Sequence, residues 1–193
     1  MYMTVLKMTR KSIIGASNLL NVNSKNSIHQ WLTNQQDKSR AEDKILYKII
    51  EQNNEMFMYI QTLTKFNVKN IELYGFEFIK DFEFDIDSLP EYATFDVQTF
   101  PCRTTDDKRY FLKNLDDRYE WLRNQFEKNG ITLLDCAEYK QSDIILDKTQ
   151  YKRIPTASYK GKIQIVDKEK AFNLITNGLG RMKNYGLGLV LYR

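Results

Sequence analysis

Hydrophobic and polar residues follow two different periods along this chain. Over residues 2–8, 44–50, 56–62, 71–78 and 82–86 the apolar positions recur nearly every second residue, which predicts strands. Residues 21–35 switch to helical spacing: Ser24 is a candidate cap, and Ile28, Trp31 and Leu32 share one face. The polar run 51–55 predicts a turn between two strands. Acids at Glu72, Glu77, Glu83, Asp85 and Asp87 alternate along the later strands and predict a solvated face. A break at Asp87-Ser-Leu-Pro-Glu91 closes this half of the chain.

The second half repeats the plan. Residues 92–100 predict a strand. Residues 106–129 predict the longest helix, with Tyr110, Phe111, Leu115, Tyr119, Leu122 and Phe126 as its apolar side and Gly130 as its stop. Residues 131–139 predict a strand, 144–147 the start of a hairpin, and 160–166 its return, with Pro155-Thr-Ala-Ser158 in the connection. A helix over 168–177 leads through a glycine-rich turn to a last strand over 187–192. The second half thus shows the full β-α-β-β-α-β order, and the first half shows it with a poor second helix. The expected fold is α+β: tandem ferredoxin-like (RRM-like) domains over residues 1–90 and 91–193. That architecture serves many functions and includes RNA-recognition modules.

Composition narrows the classes. Aromatics are plentiful and prolines few, as in a folded globular protein. No stretch approaches the ~20 apolar residues of a membrane span, and the first eight residues lack the apolar core of a secretory signal. Two cysteines, Cys102 and Cys136, and one histidine make neither a disulfide framework nor a zinc pattern. A cytoplasmic protein with no membrane partner and no metal or other cofactor is expected. Charge is uneven: residues 148–193 hold 10 basic residues against Asp167 and Glu169 alone. Such an excess draws polyanions.

Within that basic segment, Gly178, Gly180, Gly186 and Gly188 bracket Arg181 and Lys183. Glycines permit tight turns and close approach, and bare backbone N–H groups beside cations make an anion cradle. The segment lacks the Gly-Lys-Ser/Thr ending of a P-loop and does not open a helix after a strand. His29, the lone histidine, sits on the first predicted helix, offset from the core side and expected at the surface. Its unperturbed pKa lies near neutrality, so it is the natural proton carrier. RNA supplies its own nucleophile, because a 2′-hydroxyl can attack the adjacent phosphate. A protein need only orient the strand, move a proton and stabilise charge.

Several segments together resemble one family. Asp117-Arg-Tyr-Glu-Trp-Leu-Arg123, Gly130-Ile-Thr-Leu-Leu-Asp135, Tyr159-Lys-Gly-Lys-Ile163 and the glycine run Asn177 to Gly188 resemble CasE, the CRISPR RNA-processing endoribonuclease of the type I-E Cascade complex. Thr94-Phe-Asp-Val-Gln-Thr-Phe-Pro-Cys-Arg103 is similar to the strand and turn before that family's central helix, and Met1-Tyr-Met-Thr and Ser27-Ile-His-Gln-Trp-Leu32 match more loosely. The resemblance implies tandem ferredoxin-like domains and metal-independent cleavage at the base of a CRISPR repeat RNA hairpin. It also implies product retention and partnership with other Cascade subunits, and it makes His29 the catalytic residue.

A basic hairpin, Tyr151-Lys152-Arg153 with Lys160-Gly-Lys162, would meet the RNA duplex. The candidate RNA contacts are Lys108, Arg109, Lys152, Arg153, Lys160, Lys162, Gly178, Gly180, Arg181, Lys183, Gly186 and Gly188. Asn26 stands where some members have tyrosine, with Lys25 as a possible substitute, and Arg181 stands where the family often has proline. Two other readings stay open: a non-catalytic RNA-binding subunit, and a nucleotide-binding enzyme using the glycine loop with acids from residues 72–91.

Overall fold

The computed structural model describes residues 1–9, 26–36, 43–69, 71–147 and 152–193. Two compact units divide the chain, and the division is not linear. The first comprises Met1–Phe84 with two later returns, Ile145–Arg153 and Lys183–Gly186. The second comprises Asp85–Ile144, Ile154–Met182 and Leu187–Arg193.

The first unit is built on strands β1 (Tyr2–Met8), β2 (Leu46–Gln52), β3 (Glu55–Thr62) and β4 (Phe76–Glu83), with helix α1 (Asn26–Asn34) between β1 and β2. The strands form one antiparallel sheet in the order β2-β3-β1-β4. Asn53 and Asn54 make the two-residue turn of the β2–β3 hairpin, both with positive φ (53° and 61°), a conformation that asparagine tolerates and that matches strand twist. Leu6, Met8, Met58, Ile60 and Phe76 pack with Ile28, Trp31 and Leu32 of α1. Trp31 stacks on Phe76 with ring centroids 4.7 Å apart.

The helix expected over 21–35 is seen over Asn26–Asn34; Ser24 and Lys25 lie outside the described residues. Where two strands were expected over 71–78 and 82–86 there is a short 3-10 turn, Ile71–Tyr74, and then the single strand β4. Gly75, at φ 81°, makes the break: it ends the turn through its N–H to the Glu72 carbonyl, and alternation restarts after it.

The second unit holds β5 (Tyr92–Thr99), the small hairpin β6 (Cys102–Thr105) and β7 (Lys108–Phe111), α2 (Leu115–Glu127), β8 (Ile131–Asp147), β9 (Lys152–Ile165), α3 (Lys168–Asn177) and β10 (Leu191–Tyr192). Its sheet order, β10-β5-β9-β8, places the strands as a ferredoxin-like β-α-β-β-α-β chain must. The expected helix 106–129 begins only at Leu115. Asp106 and Asp107 both adopt positive φ and turn the chain into the β6–β7 hairpin, taking Tyr110 and Phe111 off the helix. Asn114 caps α2 by accepting from the Asp116 N–H at 2.8 Å.

Residues 131–147 form one long strand rather than two. Pro155 lies inside β9, not in a connection; the pairing of β5 with β9 ends at Ala157, so Pro155 has run past that neighbour. The last strand shortens to Leu191–Tyr192, although Leu187, Leu189 and Val190 before it are buried. No helix among the described residues is long and apolar enough to cross a membrane.

One buried ion pair ties the second unit together. Arg118 of α2 donates to both carboxylate oxygens of Glu138 on β8 at 2.7 Å, and to the carbonyls of Leu112 and Lys113 at 3.0 and 2.6 Å. Burial pushes the Glu138 carboxyl up, but hydrogen bonds from Arg118 and Gln141 outweigh it and hold the group below its ordinary range.

Candidate nucleic-acid interface

His29 is buried, 4% exposed, rather than at the surface. It lies between Ile28 and Leu32 on α1, beside the stripe that packs on the sheet. Thr33 returns its hydroxyl to the His29 carbonyl at 2.8 Å. The middle of the glycine run comes to this same helix. Lys183–Tyr185 forms a 3-10 turn packed against α1 and β2 within the first unit. Tyr47 of β2 donates its hydroxyl to the Asn184 carbonyl at 3.4 Å, and burial pushes that phenol's pKa up, so it stays a donor. Gly186 is seated on Tyr47: a Cβ there would lie 2.8 Å from the ring. Lys183 and Tyr185 are half-buried.

The flanks of the run belong to the second unit. Gly178 ends α3 at φ 74° and donates to the Leu174 carbonyl at 2.7 Å. Gly188, at φ 83°, donates to Gln98 at 2.8 Å, and its own carbonyl accepts from Leu179 at 2.7 Å. Gly186 donates to Lys183 at 3.1 Å. The N–H groups of Gly178, Leu179, Gly186 and Gly188 are thus engaged within the protein. The run's glycines serve close packing: Gly180 lies under Thr99 and Trp121, and a Cβ on Gly188 would come within 2.4 Å of the Leu179 oxygen. Two cations stand in the run, Arg181 and Lys183.

Arg181 is exposed and has company. It and Arg109 both pull the Cys102 thiol pKa down, against a larger upward push from burial that prevails. The cysteine therefore marks where the β6–β7 hairpin and the glycine run converge within the second unit. Lys108 and Arg109 sit on this hairpin, exposed, together with Arg103 and Tyr110, which sequence reasoning passed over. The sequence signal was slight: Asp106-Asp107 can turn a chain, but the runs on either side do not alternate.

Lys160 and Lys162 occupy the sheet face turned away from the core, opposite Asp96 and Thr94 of β5. Lys160 lies 5.4 Å over the Tyr139 ring, and the Tyr139 hydroxyl donates to Asp96 at 3.0 Å. Burial, then the Asp96 charge, lifts that phenol to about 12. Gly161 between the lysines leaves no room for a side chain, since Asp135 of β8 backs directly onto it. Arg153 is exposed near the start of β9, and Lys152 opens that strand; Tyr151 lies outside the described residues.

The remaining chemistry is spare. Among the described residues no group of three or more His, Cys, Asp or Glu side chains could share a metal ion. Burial raises both thiols, that of Cys136 to about 11, which makes them poor nucleophiles. Glu72, Glu77, Glu83, Asp85 and Asp87 are exposed along their segment, as a solvated face requires.

The whole chain, residues 1–193, matches the family described as CRISPR associated protein. The chain belongs to that family. No curated protein sequence matches it, but solved structures share its fold from end to end. A CRISPR endoribonuclease Cse3 bound to a 19-nucleotide RNA superposes with a TM-score of 0.89 at 18% identity, covering 100% of both chains. Cse3 of Thermus thermophilus, bound to an RNA representing a pre-cleavage complex, gives 0.83 at 17% identity, again over 100% of each. A chain within a CRISPR RNA-guided surveillance complex gives 0.69 at 18%, covering 100% of this chain and 98% of that one. The family's fold is thus the tandem ferredoxin-like arrangement expected from the strand order.

Proposed function

We propose that this protein is a metal-independent endoribonuclease that cleaves CRISPR repeat hairpin RNA and keeps its product within a Cascade-type complex. The observation that carries the reading is local: the Lys183–Tyr185 turn of the basic glycine run packs on the helix that bears the only histidine. A cation for the phosphate and a proton carrier thereby share one neighbourhood. The fold-mates that bind RNA support it further.

In this mechanism the RNA provides the nucleophile. The 2′-oxygen attacks the adjacent phosphorus, the 5′-oxygen leaves, and the products are a 2′,3′-cyclic phosphate and a free 5′-hydroxyl. The 2′-hydroxyl loses its proton and the departing oxygen gains one. His29 is the residue that moves a proton, and Lys183 faces the phosphate charge. Lys108, Arg109, Lys152, Arg153, Lys160, Lys162 and Arg181 hold the hairpin. A buried imidazole must be uncovered before a ribose can reach it, so RNA binding and exposure of the α1 face go together.

Replacing His29 with alanine should lower cleavage by about 10²–10⁴-fold, the usual worth of general acid–base help, with hairpin affinity preserved. EDTA should leave wild-type cleavage intact. Wild-type rates from His29→Ala would remove the mechanism. The burial of His29 favours one rival, a non-catalytic RNA-binding subunit on the same fold. That protein would bind the hairpin and never yield a cyclic phosphate end.

A further inference from the structure

The outer edge of the first sheet, among the described residues, carries exposed apolar and acidic side chains that the proposed RNA contacts leave unassigned. Among the described residues β4 is an outer strand, paired on one side to β1. It and the turn before it present Leu73, Tyr74, Phe78, Ile79 and Phe82, each between 40% and 68% exposed. Large apolar side chains grouped in this way mark interaction sites, and an uncovered edge strand is a template for pairing.

A register shift opposite Val5 and Leu6 shapes the edge. Phe78 lies across from Leu6, which packs in the core with α1, whereas Phe82 lies across from Met3, on the opposite face of the sheet. The exposed rings therefore emerge on both faces of one strand. A helix or flat surface docking on one face would leave the other ring in water. An added strand would meet both.

Charge decides what kind of chain that strand belongs to. Residues 72–83 contain Glu72, Glu77, Asp81 and Glu83 against Lys80; Lys65 already pairs with Asp81 at 2.7 Å, so Glu72, Glu77 and Glu83 carry the acidic excess. This edge repels phosphate and attracts lysine and arginine, the reverse of the segment 148–193. We propose that β4 is a protein-docking edge that takes an extended segment of a neighbouring subunit in an RNA-guided complex. That segment would carry alternating apolar side chains flanked by basic ones. The inference rests on the reading that the protein works inside such a complex, as one of its fold-mates does. It adds where the partner binds and what it must look like. RNA and partner are thus kept to oppositely charged surfaces.

The test uses the full chain, tagged, co-expressed with the other protein subunits of its surveillance complex and a ready-made CRISPR RNA. Phe78→Ser with Phe82→Ser removes the apolar grip, and Glu77→Lys with Glu83→Lys reverses the charge. Each pair should cut recovery of the other subunits by about tenfold or more, since interface anchors commonly cost that much. Hairpin RNA affinity, RNA cleavage and the melting temperature should stay at wild-type levels. Full recovery of the subunits with either pair would overturn the proposal. So would a dimer of the isolated chain in sedimentation that these substitutions dissolve, because a second copy would then be the occupant. A wild-type chain that neither binds nor cuts hairpin RNA would instead sink the functional reading.

Discussion

His29 and Gly188 show two ways a single residue can matter here. The imidazole is enclosed beside the core stripe of α1, yet the basic turn Lys183–Tyr185 lies on the same helix. Its replacement should therefore separate binding from chemistry, which filter binding and product mapping on the same sample would reveal. Gly188 is different. With φ at 83° and the Leu179 oxygen 2.4 Å from where a Cβ would stand, alanine would be both strained and crowded. Gly188→Ala should cost about 1–3 kcal/mol and lower the melting temperature before any effect on cleavage per folded molecule. Unchanged melting with lost RNA affinity would mean that this glycine acts as a ligand, not as packing.

Among the elements, α2 and β8 depend on one another through Arg118 and Glu138, whose side chains are 3% and 6% exposed. Removing one partner of such a pair leaves a buried charge without its counterion, and Glu138→Gln should cost about 3–5 kcal/mol. The sign with pH follows from the lowered carboxyl pKa. The folded state holds this proton less tightly than the unfolded chain, so the stabilisation is complete above the unfolded value of about 4.3 and fades as pH falls through the lower folded value. Thermal melts of wild type and Glu138→Gln should therefore converge in acid. Curves that stay parallel would contradict the assignment.

Element type was legible wherever a long periodic run met a clear stop: β1, β5, α3 and the sheet partners β2 and β3 came straight from alternation or helical spacing. The hairpin β6–β7 was not legible that way, because Tyr110 and Phe111 fall in step with the helical stripe of Leu115, Tyr119 and Leu122. Only the positive φ of Asp106 and Asp107 separates them. Glycines beside cations single out the loop 177–188 as a candidate, but the packing of its glycines was not legible, because hydrogen bonding across 90 residues, as from Gly188 to Gln98, leaves no local trace. Burial of His29 was hidden for a related reason, since one face of a nine-residue helix is fixed by what packs on it.

For the whole molecule, charge is sorted by segment. Residues 148–193 are strongly basic, while the edge strand β4 is acidic and apolar. If about five of the basic side chains neutralise RNA phosphates, the log–log dependence of affinity on salt should have a slope of roughly −4 to −5, taking the duplex coefficient. A flat response would remove the basic segment from the contact surface. The central claim is that the RNA attacks itself while the protein moves a proton. The most direct measurement offers the purified protein a repeat hairpin with a single 2′-deoxy nucleotide just 5′ of the scissile phosphate, beside the all-ribose control. The account predicts a cyclic phosphate end from the control and no cut in the deoxy hairpin, with equal binding of both. Cleavage of the deoxy hairpin at the same position would contradict it.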